Sequence, residues 1–295
     1  MTAGIASLTG VGHIMVTPFH PDESIDLSGL QRTVDFVRTS GASAIVVLGI
    51  MGEAHRLGDA ERETVIAIAA EQAGGQVPII AGCTAESTFA TIERVNAAAA
   101  LGAAAAMVAP PRAAQTPALQ AEHYRRVGAA VPIPLVVQDE PVTTGVTMTA
   151  AAIGEILRLP GAACVKVEQV PSPTKVSQIL EANPDARCYG GLGGLYLVEE
   201  LDRGAAGIMT GFAMPEVLVR ICDLYAAGDR EQAVAVFFRY LPLIRYEAQL
   251  GVGGVAIRKQ LLVERGVIEH ATVRGPVAAP DPRAIGELRA LLAML

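Results

Sequence analysis

Lys166 is one of only three lysines in a chain of 295 residues, the others being Lys175 and Lys259. It sits in Ala162-Ala163-Cys164-Val165-Lys166-Val167-Glu168, a run that otherwise reads as a buried strand. An ammonium buried without a partner is costly, and such a lysine sheds its proton readily. The neutral amine is a nucleophile that carbonyl compounds convert to a Schiff base. The plainer alternative is a lysine at a strand end that reaches water or pairs with Glu168.

What must position this lysine is legible in the pattern around it. Short apolar runs at 12–17, 43–49, 77–82, 104–109, 134–138, 162–168, 186–190 and 206–210 read as strands. Stretches with helical spacing of apolar residues lie between them. In 27–39 these are Leu30, Val34, Phe36 and Val37, and in 60–73 they are Val65, Ile66, Ile68 and Ala69. Asp26 and Asp59 supply helix start signals. Eight apolar strands, each followed by a helix, predict a parallel sheet closed as a (β/α)8 TIM barrel. A doubly wound open sheet is the alternative, but no Gly-x-Gly-x-x-Gly follows the first strand. The expected barrel covers 1–212. Residues 213–295 are expected to form three helices packed on it, including 229–250 and 280–294, as part of one structural unit.

Active sites of such barrels lie at the C-terminal ends of the strands. That selects Thr17, the loop Gly49-Ile50-Met51-Gly52-Glu53, Thr84, Arg112, Gln138-Asp139-Glu140, Lys166 with Glu168, Gly190-Gly191 and Thr210. Lys166 thus falls where this fold does its chemistry. Strand alternation puts Lys166 with Glu168, and Gln138 with Glu140. The two glutamates are candidate bases; each also has the plainer use of pairing with an arginine or capping a helix. The glycines of the 49–53 loop let backbone N–H groups approach an anion such as a substrate carboxylate. Glu53 is expected to fix that loop. Thr210 and Arg112 are further candidates to bind substrate, Arg112 through a carboxylate or hydroxyl.

Composition narrows the partners. The net charge is −7, with no run of Lys and Arg, which argues against nucleic acid and anionic membranes. The four cysteines, Cys83, Cys164, Cys188 and Cys222, are scattered and fit reduced thiols in a cytoplasmic protein. No signal peptide and no membrane-spanning run is evident. The five histidines lack ligand spacing, so no metal is expected.

The order of these motifs resembles the dihydrodipicolinate synthase and N-acetylneuraminate lyase superfamily. Gly49-x-x-Gly52-Glu53 is similar to its Gly-x-x-Gly-Glu loop, and Lys166 to its Schiff-base lysine on the sixth strand. Thr17-Pro18-Phe19 and Gly207-Ile208-Met209-Thr210-Gly211 fit as well. The resemblance runs from about residue 10 to the C-terminus. It implies a homotetramer doing class I aldolase-type chemistry on pyruvate or another small 2-oxo acid, with no metal or organic cofactor beyond the covalent Schiff base.

The departures matter equally. Gln138 stands where the synthase and lyase carry a proton-shuttling tyrosine. Ile50 and Met51 replace a threonine pair, Arg112 a second tyrosine, and Thr143 a substrate-binding arginine. Val136-Val137-Gln138-Asp139-x-Pro141 and Lys166-x-Glu168 resemble instead the 2-keto-3-deoxy-L-arabonate dehydratases, as do Leu241–Ile244 and Glu247. That branch lacks the glycine present here at Gly52. The resemblance implies a lyase of a 2-keto-3-deoxy sugar acid, a dehydratase or retro-aldolase. A pyruvate-dependent synthase and a non-catalytic 2-oxo-acid-binding barrel remain the alternatives.

Overall fold

The computed structural model describes Ile5 and residues 8–248, 252–277 and 280–295. Eight parallel strands close in sequence order into a barrel, with β8 paired to β1. They are β1 Gly10–Ile14, β2 Ala44–Val47, β3 Ile79–Gly82, β4 Ala105–Val108, β5 Leu135–Asp139, β6 Ala162–Val167, β7 Cys188–Gly190 and β8 Gly207–Thr210. The helices between them are α1 Leu27–Thr39, α2 Asp59–Ala73, α3 Thr88–Ala100, α4 Pro117–Ala130, α5 Pro141–Thr144, α6 Ala150–Ile156, α7 Ser172–Ala182 and α8 Leu197–Asp202. The first helix begins where the sequence places it, because Asp26 Oδ1 accepts the Gly29 N–H at 2.8 Å.

Alternation along the strands explains the closure. Ile14, Val46, Ile80, Met107, Val136, Cys164, Tyr189 and Met209 meet inside the barrel. Their neighbours Ile45, Val47, Ile79, Ala81, Val108, Val137, Val165 and Val167 pack outward under the helices. A strand apolar on both faces suits a sheet covered on both sides. The first strand lies earlier than the expected 12–17: Met15 N–H still reaches the Val46 carbonyl at 2.9 Å, and further on the Thr17 hydroxyl donates to the Gly52 carbonyl at 2.7 Å.

Four helices follow β8 among the described residues, one more than expected: α9 Pro215–Ala226, α10 Arg230–Glu247, α11 Val252–Glu264 and α12 Pro282–Leu292. Of these, α9 packs on β1 and completes the outer ring. Residues 249 and 250 of the expected 229–250 helix lie outside the described residues. Leu218, Phe237, Ile244, Ile257, Leu261 and Leu288 of α9 to α12 share one buried cluster with Val11 and Ile208 of the barrel. No described helix is long and apolar enough to cross a membrane.

Candidate active site

Cys164 points into the barrel, so Lys166, two residues further along β6, does the same at its C-terminal end. The register sets it between Gln138 of β5 and Tyr189 of β7. Lys166 Nζ lies 2.8 Å from Glu168 Oε2. Gln138 Nε2 donates to the same oxygen at 2.9 Å. The side chain of Lys166 is 5% exposed and that of Glu168 is 13% exposed, so the carboxylate is the more open member of the pair. Room for it comes from Gly191: a Cβ there would stand 2.4 Å from Glu168 Cγ. Chemically this is an amine, a proton acceptor in contact with it, and an amide that orients the acceptor without itself exchanging protons.

The loop after β2 is wound tightly. Leu48 and Glu53, which bracket it, both adopt the left-handed conformation at φ 58°. Two such non-glycine residues mark a locally strained segment, a common feature of functional sites. Gly82 makes the first turn possible, since a Cβ there would lie 2.0 Å from the Leu48 carbonyl oxygen. Ile50–Gly52 forms one 3-10 turn, in which Gly52 N–H donates to Gly49 O and Glu53 N–H to Ile50 O. The N–H groups of Ile50 and Met51 open that turn and find no acceptor among the described residues. They are the loop's free donors. Glu53 is buried and takes Lys259 Nζ at 2.6 Å, the Arg274 N–H at 3.0 Å and Arg56 Nη1 at 3.2 Å, so it holds the loop.

A cavity of about 590 Å³ opens over strands β2 to β5. Gly49, Ile50, Thr84, Gln138 and Thr143 line it, with Glu86, Ser87, Arg112 and Thr144 among its polar groups. Lys166 and Glu168 are not part of the lining; Gln138 joins the cavity to the ion pair. His55 lies along the wall, with burial pushing its imidazole below the usual range. Arg112 is largely exposed and faces Glu86 at 3.6 Å. Thr84 Oγ1 accepts the Ala109 N–H at 2.9 Å.

Two expected site residues lie elsewhere. Glu140 caps α5, its Oε2 accepting the Thr143 N–H at 2.9 Å, and makes no contact with Lys166. Helix capping won because Pro141 starts a helix directly after it. Thr210 is displaced by alternation: Met209 points into the barrel and Ile208 outward, so Thr210 shares the helix-facing side. Glu247 also serves structure: its carboxylate takes Arg258 Nε at 2.6 Å and the Ala213 N–H at 2.9 Å.

All three lysines of the chain are buried, each against a carboxylate. Lys175 of α7 reaches Asp139 Oδ2 at 2.8 Å and the Met148 carbonyl at 2.6 Å. Burial pushes Asp139 up to about 6, with Lys175 opposing it. This pair lies behind Gln138 on the helix-facing side of β5. Glu200 of α8 is buried too; Ser172 Oγ donates to its Oε1 at 2.6 Å, and Oε2 occupies the space a Gly190 side chain would fill. Burial raises Glu200 to about 7. The sequence reading named Asp139 only as a strand-end residue and Lys175 only as one of three lysines, and it did not single out Glu200. Burial pushes His13 down to about 3 and His123 to about 4, which makes them neutral packing groups. The four cysteines are free and buried. Among the described residues no group of three or more His, Cys, Asp or Glu is placed to hold a metal ion.

Comparison with known proteins gives the family. The family model of the dihydrodipicolinate synthetase family matches residues 7–294. The chain is 30% identical over 289 residues to the L-2-keto-3-deoxyarabonate dehydratase of Azospirillum brasilense, covering 96% of this chain and 93% of that protein. It is 31% identical over 267 residues to the 4-hydroxy-tetrahydrodipicolinate synthase of Xanthomonas axonopodis pv. citri, covering 90% and 87%. The crystal structure of dihydrodipicolinate synthase from Rhodopseudomonas palustris superposes with a TM-score of 0.93 at 33% identity, over 100% of both chains. The matches divide between a dehydratase and synthases, and what they share is the barrel and lyase chemistry. The chain belongs to the dihydrodipicolinate synthetase family of (β/α)8-barrel lyases.

Proposed function

We propose that this protein is a Schiff-base lyase that dehydrates a 2-keto-3-deoxy sugar acid. The observation that carries the reading is the convergence of Lys166 and Gln138 on one oxygen of Glu168. It supplies a carboxylate relay where the synthases use a phenol.

In this reading Glu168 takes the ammonium proton of Lys166, and the free amine attacks the C2 ketone. Glu168 returns the proton to the carbinolamine hydroxyl, which leaves as water and gives the protonated imine. The imine acts as an electron sink, so a C3 proton passes to the carboxylate. The resulting enamine expels the C4 hydroxyl, protonated by Glu168, as a second water. Hydrolysis of the imine consumes one water and restores Lys166, so the net change is loss of one water. The Ile50 and Met51 N–H groups hold the substrate carboxylate. Thr84, Ser87, Thr143, Thr144 and Arg112 face the hydroxylated tail. No metal or organic cofactor takes part. Residues 213–295 act as one unit with the barrel, and the working form is a cytoplasmic homotetramer.

The second reading, 4-hydroxy-tetrahydrodipicolinate synthesis, is favoured by the 31% identity to the Xanthomonas enzyme. Gln138 and Thr143 speak against it, since neither can replace a phenol or a guanidinium. The test is a substrate panel. Turnover of 2-keto-3-deoxy-pentonates or hexonates, lost in Lys166→Arg, is expected. Efficient turnover of pyruvate with aspartate semialdehyde alone would restore the synthase reading.

A further inference from the structure

The strained loop after β2 does not hold itself. Glu53 sits at its end in the left-handed conformation, and its carboxylate is 1% exposed. A carboxylate so buried needs cationic partners. Arg56 is the only charged partner from the loop's own neighbourhood, at 3.2 Å. The close partner is Lys259 Nζ at 2.6 Å, delivered by α11 from 206 residues away and itself fully buried.

The contacts around this pair form a strap. Lys259 Nζ also donates to the Thr272 carbonyl at 2.7 Å. Two residues on, the Arg274 N–H donates to Glu53 Oε2 at 3.0 Å, and the Arg274 carbonyl accepts Arg56 Nη1 at 2.6 Å. The Arg274 guanidinium grips Glu61 of α2 through two contacts of 2.8 Å. Phe19 completes the node, with Lys259 Nζ 4.3 Å and the Arg274 guanidinium 4.5 Å from its ring centroid. The extension therefore meets the β2 loop at a buried charged joint.

We propose that Lys259 is a positioning residue, the pin of a clasp by which the C-terminal extension holds the Gly49–Glu53 loop in the shape that aims the Ile50 and Met51 N–H groups at a 2-oxo acid carboxylate. The inference rests on the Schiff-base reading above and adds to it a control on substrate affinity that lies outside the catalytic group. The charged groups packed against the pin are Glu53 and Arg56 from the loop and Arg274 from the strap. Burial lowers the Lys259 amine to about 8; Glu53 works against the lowering, and Arg274 and Arg56 add to it. The clasp consequently loosens as the pH rises through about 8.

The experiment compares the wild type, Lys259→Met and the isosteric Glu53→Gln. Each is incubated with a range of pyruvate concentrations and reduced with borohydride, and Lys166 labelling is read by peptide mass. The half-saturating pyruvate concentration is expected to rise about tenfold or more in both variants, the worth of one charge-assisted hydrogen bond. Label at saturation should stay within about threefold, because the amine and Glu168 are untouched. Between about pH 7 and pH 9 the wild-type value should rise relative to that of Lys259→Met, which has no amine to titrate. A purely structural lysine would move the melting temperature and neither of these readouts. If Lys259→Met does not melt cooperatively, Glu53→Gln decides. A folded variant with unchanged half-saturation overturns the clasp. A wild type that takes no label overturns the Schiff-base reading instead, and the clasp with it.

Discussion

Lys166 Nζ and Glu168 Oε2 lie 2.8 Å apart at the mouth of the barrel, two residues apart on one strand face. In the proposed mechanism this contact lets Glu168 collect and return the protons of imine formation. Glu168→Gln keeps the shape and removes the acceptor. It should lower turnover by about 10²–10⁴ while leaving the fold intact, with kcat and circular dichroism as the two readouts. Wild-type turnover in this variant would remove Glu168 from the mechanism.

Gly191 is the second lever on the same carboxylate. A methyl group there meets Glu168 Cγ at 2.4 Å, well inside contact distance. Gly191→Ala should push Glu168 off the lysine and cost about 10² in kcat, the order expected for a displacement of roughly 1 Å. The check is kcat with the melting temperature alongside, which should change far less.

Glu200 gives a pH prediction with a definite sign. Burial raises its folded pKa from 4.5 to about 7, with Ser172 opposing and Glu199 and Glu168 adding to the rise. The folded state therefore holds this proton more tightly than the unfolded chain does. The resulting stability is fully present below about pH 4.5 and lost as the pH rises through about 7. Glu200→Gln mimics the neutral acid at every pH. Its melting temperature should match the wild type near the lower value and exceed it above the upper one, by an amount on the order of 3 kcal/mol in stability. A difference that stays constant across the range would refute the assignment.

Lys175 and Asp139 should behave as a unit. Lys175→Met leaves the Asp139 carboxylate buried and unpaired, at a cost of roughly 3–5 kcal/mol near neutral pH. The double variant Lys175→Met with Asp139→Asn removes both charges and should recover most of the loss. Denaturant midpoints for the four chains of the cycle measure the coupling.

The barrel was legible because its strands are short, apolar and evenly spaced, and Lys166 stood out because lysine is so rare here. Period-two alternation correctly joined Lys166 to Glu168 on one face. The same rule, applied to β5, also joined Glu140 to Gln138, yet Pro141 starts a helix and turns Glu140 into its cap. Thr210 was chosen for its place at a strand end, but which face an end residue takes depends on the inward residue before it, here Met209. The partners of Lys175 and Lys259 were invisible for a different reason. Lys259 meets Glu53 across 206 residues, and no local pattern encodes a contact at that range.

Lys166 is the residue proposed to form the imine. The chain's lysine usage makes the measurement clean, since Lys175 and Lys259 are the only other lysines among which an adduct must be mapped. Pyruvate and borohydride are added to the wild-type protein, and the adduct is mapped by peptide mass spectrometry. One adduct per chain, located on Lys166 and absent from Lys166→Arg, is the predicted result. No adduct, or one carried by Lys175 or Lys259, would contradict the account.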